Sequence, residues 1–166
     1  MINNIDKDKK ITSAGFIVVS KTGRILLGKA ESHSPPYCYT AFKGGVEAGE
    51  DLLQTAIREL KEESGIDINI EERLNRNISS SPVFNYSLKH KNVYLFMLND
   101  ITGFLDDFNF NCTSYWGIDN KPEIQEYQWF TIDEMEDYIF PSQRGLIVYL
   151  KNKKEKEDGY KKIKSI

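Results

Sequence analysis

The stretch "EDLLQTAIRELKEESG", Glu50–Gly65, decides the fold. Leu52, Leu53, Ala56, Ile57 and Leu60 recur at helical spacing, and Gly65 stands where a helix stop is expected. The spacing predicts a helix over Glu50–Ser64. Within about one turn of it stand Glu59, Glu62 and Glu63, although like charges three and four residues apart repel. A charge run is ordinarily a solvated helix face, opposite the apolar residues. On a wheel of about 100° per residue, Glu63 falls roughly 50° from the centre of the apolar face, Glu59 about a quarter-turn away, and Glu62 further round. The carboxylates therefore run from the core edge outward. A partly buried carboxylate is costly unless paired or coordinated, and Arg58 alone cannot neutralise three acids. A divalent cation can, and hard cations such as Mg²⁺ or Mn²⁺ prefer oxygen ligands. On the wheel alone, a metal site and a solvated acidic face both remain open.

The segment leading into the helix, "KGGVEAGE" (Lys43–Glu50), reads as a glycine-containing loop. Its glycines permit backbone conformations closed to other residues and close approach to a ligand. Five residues separate Gly44 from Glu50, seven more lead to "REL", and Lys61, Glu62, Glu63, Ser64, Gly65 and Ile66 follow. This resembles the Nudix box, G-x5-E-x7-R-E-U-x-E-E-x-G-U with U a bulky aliphatic residue, matched at every fixed position between Gly44 and Ile66. No Walker-type phosphate loop or nucleophilic-serine elbow competes with it.

The resemblance implies an α/β fold, the Nudix-type α/β/α sandwich with a mixed sheet. It also implies hydrolysis of a nucleoside diphosphate linked to another group, by water attack on a phosphorus of the pyrophosphate. Mg²⁺ would be the cofactor, with Mn²⁺ as substitute. Glu59, Glu62 and Glu63 would be metal ligands and catalytic, with Glu59 the first choice as base. A backbone carbonyl at Gly44 or Lys43 would complete the site. Arg58 would orient the glutamates by ion pairing, Glu50 would support them, and Lys43 would contact phosphate. A further acid is expected from "KPEIQEYQWF". Glu126 opens a strand with Tyr127 and Trp129 on one face, so alternation sends Glu126 to the other, toward solvent. Glu123, before the strand and after Pro122, is the expected additional ligand or base.

The flanks suit the same fold. "SAGFIVVS" (Ser13–Ser20) and "ILLGKA" (Ile25–Ala30) read as strands joined by the turn "KTGR". "ESHSPPYCYT" reads as a loop broken by Pro35 and Pro36. "IDINIEE" (Ile66–Glu72) alternates like a half-buried strand, and "NVYLFML" (Asn92–Leu98) reads as a buried one. "GFLDDFNFNCTSYWG" (Gly103–Gly117) is an aromatic excursion whose Phe104, Phe108, Phe110, Tyr115 and Trp116 either cover a core edge or stack on a base. "TIDEMEDYI" looks like a helix start capped by Thr131 or Asp133, and a last helix begins near Ser142. The 166 residues fit one domain, with residues 1–10 and about 155–166 expected to be disordered.

A net charge of −3 gives no case for nonspecific nucleic-acid binding. Cys38 and Cys112 make neither a disulfide framework nor a zinc motif, so both are expected to be free thiols in a reducing compartment. "MINNIDKDKK" lacks the apolar core of a signal peptide, and the longest apolar runs fall short of the roughly 20 residues a bilayer span needs. A soluble, cytoplasmic protein is expected, with no membrane partner and with a homodimer left open. His33 and His90 are lone and read as structural or exposed. Substrate choice lies outside the box. "PEIQEYQW" (Pro122–Trp129) resembles a segment of RNA pyrophosphohydrolases and dinucleoside polyphosphate hydrolases, favouring dinucleoside polyphosphates or RNA 5′-triphosphate ends, with RNA a partner only as such an end. Pro82 keeps ADP-ribose open, and nucleoside triphosphates and nucleotide sugars follow. Two non-enzymatic readings also stand: a Nudix-fold module that binds nucleotides without turnover, and an acidic protein-interaction helix.

Overall fold

In chain order the strands are β1 (Ile11–Val19), β2 (Ile25–Ala30), β3 (Tyr39–Thr40), β4 (Phe42–Gly45), β5 (Phe84–Leu88), β6 (Lys91–Asn99), β7 (Tyr115–Trp116), β8 (Lys121–Pro122) and β9 (Ile124–Phe130). The helices are α1 (Leu52–Ser64), α2 (Glu72–Asn75) and α3 (Gly145–Lys164), with single 3-10 turns at Glu134–Asp137 and Pro141–Gln143. The structure is a computed structural model and describes residues 9–166.

Everything is arranged around β1, buried from Ser13 to Val18. Such a β-branched and aromatic run suits a strand covered on both faces. On one edge β6 runs parallel to it along its whole length, Ile11↔Lys91 to Val19↔Asn99, and β5 lies antiparallel beyond. On the other edge the β1–β2 hairpin holds only at Val18↔Leu26 and Val19↔Ile25, and then the strands splay apart. The chain from Tyr39 to Gly45 fills the wedge: β3 pairs with β2 at Gly28 and Lys29, and β4 pairs with β1 from Phe42↔Phe16 to Gly45↔Ser13. β9 closes the outer edge of β2, giving a seven-stranded mixed sheet, while β7 and β8 form a separate small hairpin.

Alternation along the strands feeds two cores. Ala14, Phe16, Val18 and Leu98 pack with Ala56 and Leu60 of α1 on one face. Ile17, Val93, Leu95 and Met97 pack with Leu146, Ile147 and Leu150 of α3 on the other. This is the expected α/β/α sandwich. Fully burying a Leu or Phe side chain contributes roughly 1.5–3 kcal/mol, so Phe16, Phe42 and Leu60 anchor α1 and β4 to the sheet. Among the described residues no helix is long and apolar enough to cross a membrane.

Several expectations are corrected. Ile66–Glu72 is not a strand. Ile66 and Ile68 are buried but Ile70 is 83% exposed, because the Asp67 carboxylate accepts the Asn69 N–H at 3.0 Å and the Glu71 N–H bonds back to Asp67, folding the segment into turns before α2. The presumed loops around Pro35–Pro36 and Lys43–Glu50 carry β3 and β4, and β5 was not anticipated. The segment after β9 forms only a 3-10 turn; of the two anticipated caps Asp133 takes the N-cap position without a side-chain bond, and Thr131 Oγ1 accepts the Glu134 N–H at 3.3 Å. α3 begins at Gly145, and the tail expected to be disordered from about residue 155 continues it to Lys164, with Lys153 and Glu157 paired one turn apart. Of the N-terminal segment expected to be disordered, residues 1–8 lie outside the described residues.

Candidate active site

α1 starts from a reciprocal cap. The Asp51 carboxylate accepts the Gln54 N–H at 2.8 Å, and the Gln54 side chain accepts the Asp51 N–H at 2.9 Å. It ends at Gly65, whose φ of 80° is the left-handed stop that glycine adopts without strain. The carbonyls left over at its C-terminus are taken up from outside the helix. Thr113 N–H donates to Glu62 O at 2.7 Å, Asn111 N–H donates to Ser64 O at 3.1 Å, and the Tyr127 hydroxyl donates to Glu63 O. The aromatic excursion thus clamps the acidic turn in place. Phe108, Phe110 and Tyr127 form a ladder of rings behind it, with neighbouring centroids 5.2 and 5.3 Å apart.

The buried residues of α1 are Thr55, Ala56, Glu59, Leu60, Glu63 and Ser64. On the wheel their centre lies roughly 40° from that of the apolar residues, close to Glu63. The helix therefore packs Ala56 and Leu60 on β1, turns Glu59 and Glu63 to β4, and leaves Leu52, Leu53 and Ile57 half-buried. Glu59 is 8% and Glu63 6% exposed. Glu63 Oε2 accepts the Lys43 N–H at 2.9 Å. Glu59 lies over Gly44, where an added Cβ would stand 2.1 Å from Glu59 Oε1, so only glycine leaves room for the carboxylate.

Arg58 gathers the acids. It holds Glu50 with Nε at 2.8 Å and Nη2 at 3.0 Å, Glu59 with Nη1 at 2.7 Å and Glu62 at 3.3 Å, and it donates to Gly45 O at 2.9 Å. A planar guanidinium suits this division of labour. Its hydrogen bonds hold the Glu50 carboxyl down at about 2, and the Arg58 guanidinium is in turn driven above its ordinary value by Glu50. Burial pushes the Glu59 carboxyl up against the opposing pull of Arg58, and pushes Glu63 well above the usual carboxylate range against that of Lys43. Burial, with the charge of Lys91 nearby, pulls the Lys43 ammonium down. The charge of Glu123 also acts on Glu59, Glu63 and Lys43.

Residues 9–150 match the family described as the NUDIX domain. The chain belongs to that family. An RNA pyrophosphohydrolase of Caulobacter vibrioides is 35% identical over 65 residues, 39% of this chain and 38% of the relative, so the chain spans well under half of that protein's length. A crystal structure of an Ap4A hydrolase binary complex from C. elegans aligns with a TM-score of 0.56 at 23% identity, covering 89% of this chain and 98% of that one. A bifunctional NMN adenylyltransferase/ADP ribose pyrophosphatase from Francisella tularensis, complexed with AMP and a Mn ion, aligns with a TM-score of 0.64 at 18% identity, over 88% of this chain and 42% of that one. At these identities the structural likenesses show the fold.

Of the anticipated residues, Glu50, Glu59 and Glu62 are gathered by Arg58, while Glu63 is held by the Lys43 N–H. Glu59 and Glu63 are buried, while the Glu62 side chain is 40% exposed and held by Arg58. Glu50 flanks the cluster. Lys43 is a half-buried strand residue rather than part of a solvated loop. Glu123 is half-buried between β8 and β9, its N–H bonded to Ser114 O at 3.0 Å and its Oε2 accepting from Ser114 Oγ at 3.2 Å. Glu126 points away as alternation requires, taking contacts from Lys29 at 3.4 Å and the Tyr39 hydroxyl at 3.3 Å. Among the described residues no three His, Cys, Asp or Glu side chains converge on one point as they stand, since Glu59 and Glu62 lean on Arg58 and Glu63 on the Lys43 N–H. The donor set nevertheless fits a hard divalent cation. It is oxygen-only, anionic, partly desolvated and crossed by a strand whose side is cleared by Gly44. The roles of Tyr127, Thr113 and Ser114 were not anticipated. For Tyr127 a signal existed, because a tyrosine facing the core needs a partner for its hydroxyl.

Proposed function

We propose that the chain hydrolyses a nucleoside diphosphate linked to another group, by water attack on a phosphorus of its pyrophosphate, with dinucleoside polyphosphates or RNA 5′-triphosphate ends as favoured substrates. The observation that carries this is the pair of buried carboxylates, Glu59 and Glu63, set over Gly44 and on the Lys43 N–H. That charge density has little use in an interaction helix, which would place its acids in solvent.

Glu59, Glu62 and Glu63, with a backbone carbonyl at Gly44 or Lys43, would hold Mg²⁺ or Mn²⁺. When bound, the cation supplies neutralisation of phosphate charge and polarisation of the attacked phosphorus. The chain does the rest. Arg58 fixes the directions of Glu59 and Glu62 while Glu50 fixes Arg58. Lys43 presents a cation to the phosphate oxygens. Glu59, or Glu123 oriented by Ser114, takes the proton from the attacking water. The Caulobacter relative's description as an RNA pyrophosphohydrolase and the fold shared with an Ap4A hydrolase support the favoured substrates. The likeness to a chain described as an ADP ribose pyrophosphatase supports ADP-ribose as the next candidate. The test is a panel of dinucleoside polyphosphates, 5′-triphosphorylated RNA, nucleoside triphosphates, ADP-ribose and nucleotide sugars with Mg²⁺ or Mn²⁺, scored by products. Turnover fastest on the first two supports the reading. A chain that binds nucleotides but turns over none of them is a noncatalytic module.

A further inference from the structure

The chain from Tyr39 to Gly45 has two backbone edges. Ala30 N–H donates to Cys38 O at 2.8 Å and Val46 N–H to Thr12 O at 3.0 Å. Even-numbered backbone groups therefore point into the sheet, and odd-numbered ones point away from β1 and β2, by the alternation of an antiparallel pair. The odd-numbered groups take partners from outside the strands. Tyr39 N–H donates to Tyr138 O at 3.0 Å, and Tyr39 O accepts the Phe140 N–H at 2.9 Å. Ala41 N–H donates to Gln143 Oε1 at 3.1 Å, and Lys43 N–H to Glu63 Oε2 at 2.9 Å. Gly45 O accepts from Arg58 at 2.9 Å. Buried backbone groups must find partners, and along this edge they find them in order: backbone, a side-chain amide, a site acid and the site guanidinium.

Gln143 supplies the amide from the 3-10 turn that leads into α3, and it is fully buried. The Thr40 hydroxyl gives its proton to Ala41 O at 2.9 Å, so it accepts from Gln143 Nε2 at 2.8 Å. That fixes Nε2 on the Thr40 side, where it also donates to the Tyr86 hydroxyl at 3.2 Å, and leaves Oε1 to Ala41. We infer that Gln143 is a positioning residue of the proposed hydrolytic site: by holding Ala41 N–H it sets the strand edge on which Lys43 N–H meets Glu63. Phe42, fully buried, is the sole residue between the two amides, so a displaced Ala41 carries Lys43 with it. Gln143 touches neither acid. The inference rests on the proposed role of Glu63.

Gln143→Met keeps the length and bulk but cannot accept the Ala41 N–H. It should lower kcat roughly 10- to 100-fold, since a shift of about 1 Å in a catalytic group suffices for that. By amide hydrogen exchange, Lys43 should lose about ten-fold more protection than Leu95 in the sheet core, a local opening that a general loss of stability would not produce. Tyr86→Phe removes one acceptor of Nε2 but leaves the Ala41 bond, so kcat and the Lys43 amide should stay within about two-fold of wild type. In the wild-type protein, Ala41 and Lys43 amides should exchange with equal denaturant dependence, as one opening unit; this holds as a test even where Gln143→Met fails to fold. A Lys43 amide that opens independently of Ala41 overturns the assignment. So does an unchanged kcat and Lys43 protection in Gln143→Met, or an equal loss of both in Tyr86→Phe, which would reduce the amide to packing. If the wild-type chain hydrolyses nothing and Gln143→Met still releases the Lys43 amide, the positioning stands and the hydrolytic reading falls.

Discussion

Gly44→Ala isolates the feature that sequence and structure share most directly. An added Cβ at this position would lie 2.1 Å from Glu59 Oε1 and 2.2 Å from Glu59 Cδ. Ordinary contact requires the carboxylate to retreat by more than about an ångström. The obstacle is the far end of a flexible side chain, so the fold can accommodate it. The site cannot, because the retreat pulls Glu59 from Arg58 Nη1, now at 2.7 Å, and from its place over β4. Losing one hydrogen bond to a charged group costs about 1.5–3 kcal/mol, and Arg58 keeps Glu50, so the low end of that range applies. Misplacing a catalytic group by about 1 Å costs on the order of 100-fold in rate. The expectation is a loss of stability of about 1–2 kcal/mol, read by denaturant unfolding, beside a roughly 100-fold fall in kcat under saturating Mg²⁺. Gly45→Ala is the control. Its Cβ would meet nothing within 4 Å, and activity and stability should stay near wild type. Gly44→Ala with turnover within about three-fold of wild type would refute the claim that Glu59 acts from its place over β4.

Three further outcomes are expected. Arg58→Ala should lower both activity and melting temperature, since it releases Glu50, Glu59 and Glu62 together; unchanged values in both assays would reduce Arg58 to a surface residue. Measured side by side at saturating Mg²⁺, Glu123→Gln should lose kcat while Glu126→Gln, whose partners are Lys29 and Tyr39, keeps it; the reverse pattern would move the additional acid to Glu126. Burial pushes the Tyr86 phenol up to about 12, so the folded state resists its ionisation. That stabilisation is complete below about pH 10 and is lost as pH rises through about 12, so Tyr86→Phe should lose less stability than wild type over that window, by about 2–3 kcal/mol in alkaline unfolding titrations, and parallel curves would contradict it.

The parts of this fold that were legible in the sequence are those whose signal is local. α1 announces itself through Leu52 to Leu60 and Gly65, and the buried β1 and β6 through their β-branched and aromatic runs. The Ile66–Ile70 alternation misled because period two can also arise in a chain of turns, and Asp67 and Asn69 supply that turn chemistry. β3 and β4 were hidden for a different reason. They are short, glycine-bearing or proline-flanked, and exist because the β1–β2 hairpin splays and leaves unpaired backbone to be filled, a demand set by tertiary geometry rather than by the residues themselves.

The candidate site shows the same division. Arg58 and Gly44 could be named through the resemblance to the Nudix box, and Glu123 was preferred to Glu126 from chain position and alternation. The depth of Glu63 could only be underestimated, because a wheel centred on apolar residues assumes that the helix turns its greasiest face to the sheet. α1 instead turns toward Glu63. Rotation in that direction leaves Leu52, Leu53 and Ile57 half-buried, forfeits part of their transfer energy, and places two carboxylates where water is scarce. A sequence selected for stability alone would not hold a helix in that orientation. The clamp of Thr113, Asn111 and Tyr127 on its last carbonyls, the Lys43 N–H under Glu63 and the Arg58 fork all act to hold it there. Several independent contacts each stabilise this one electrostatically unfavourable orientation and together offset its cost, the pattern expected where a site is built at the expense of stability.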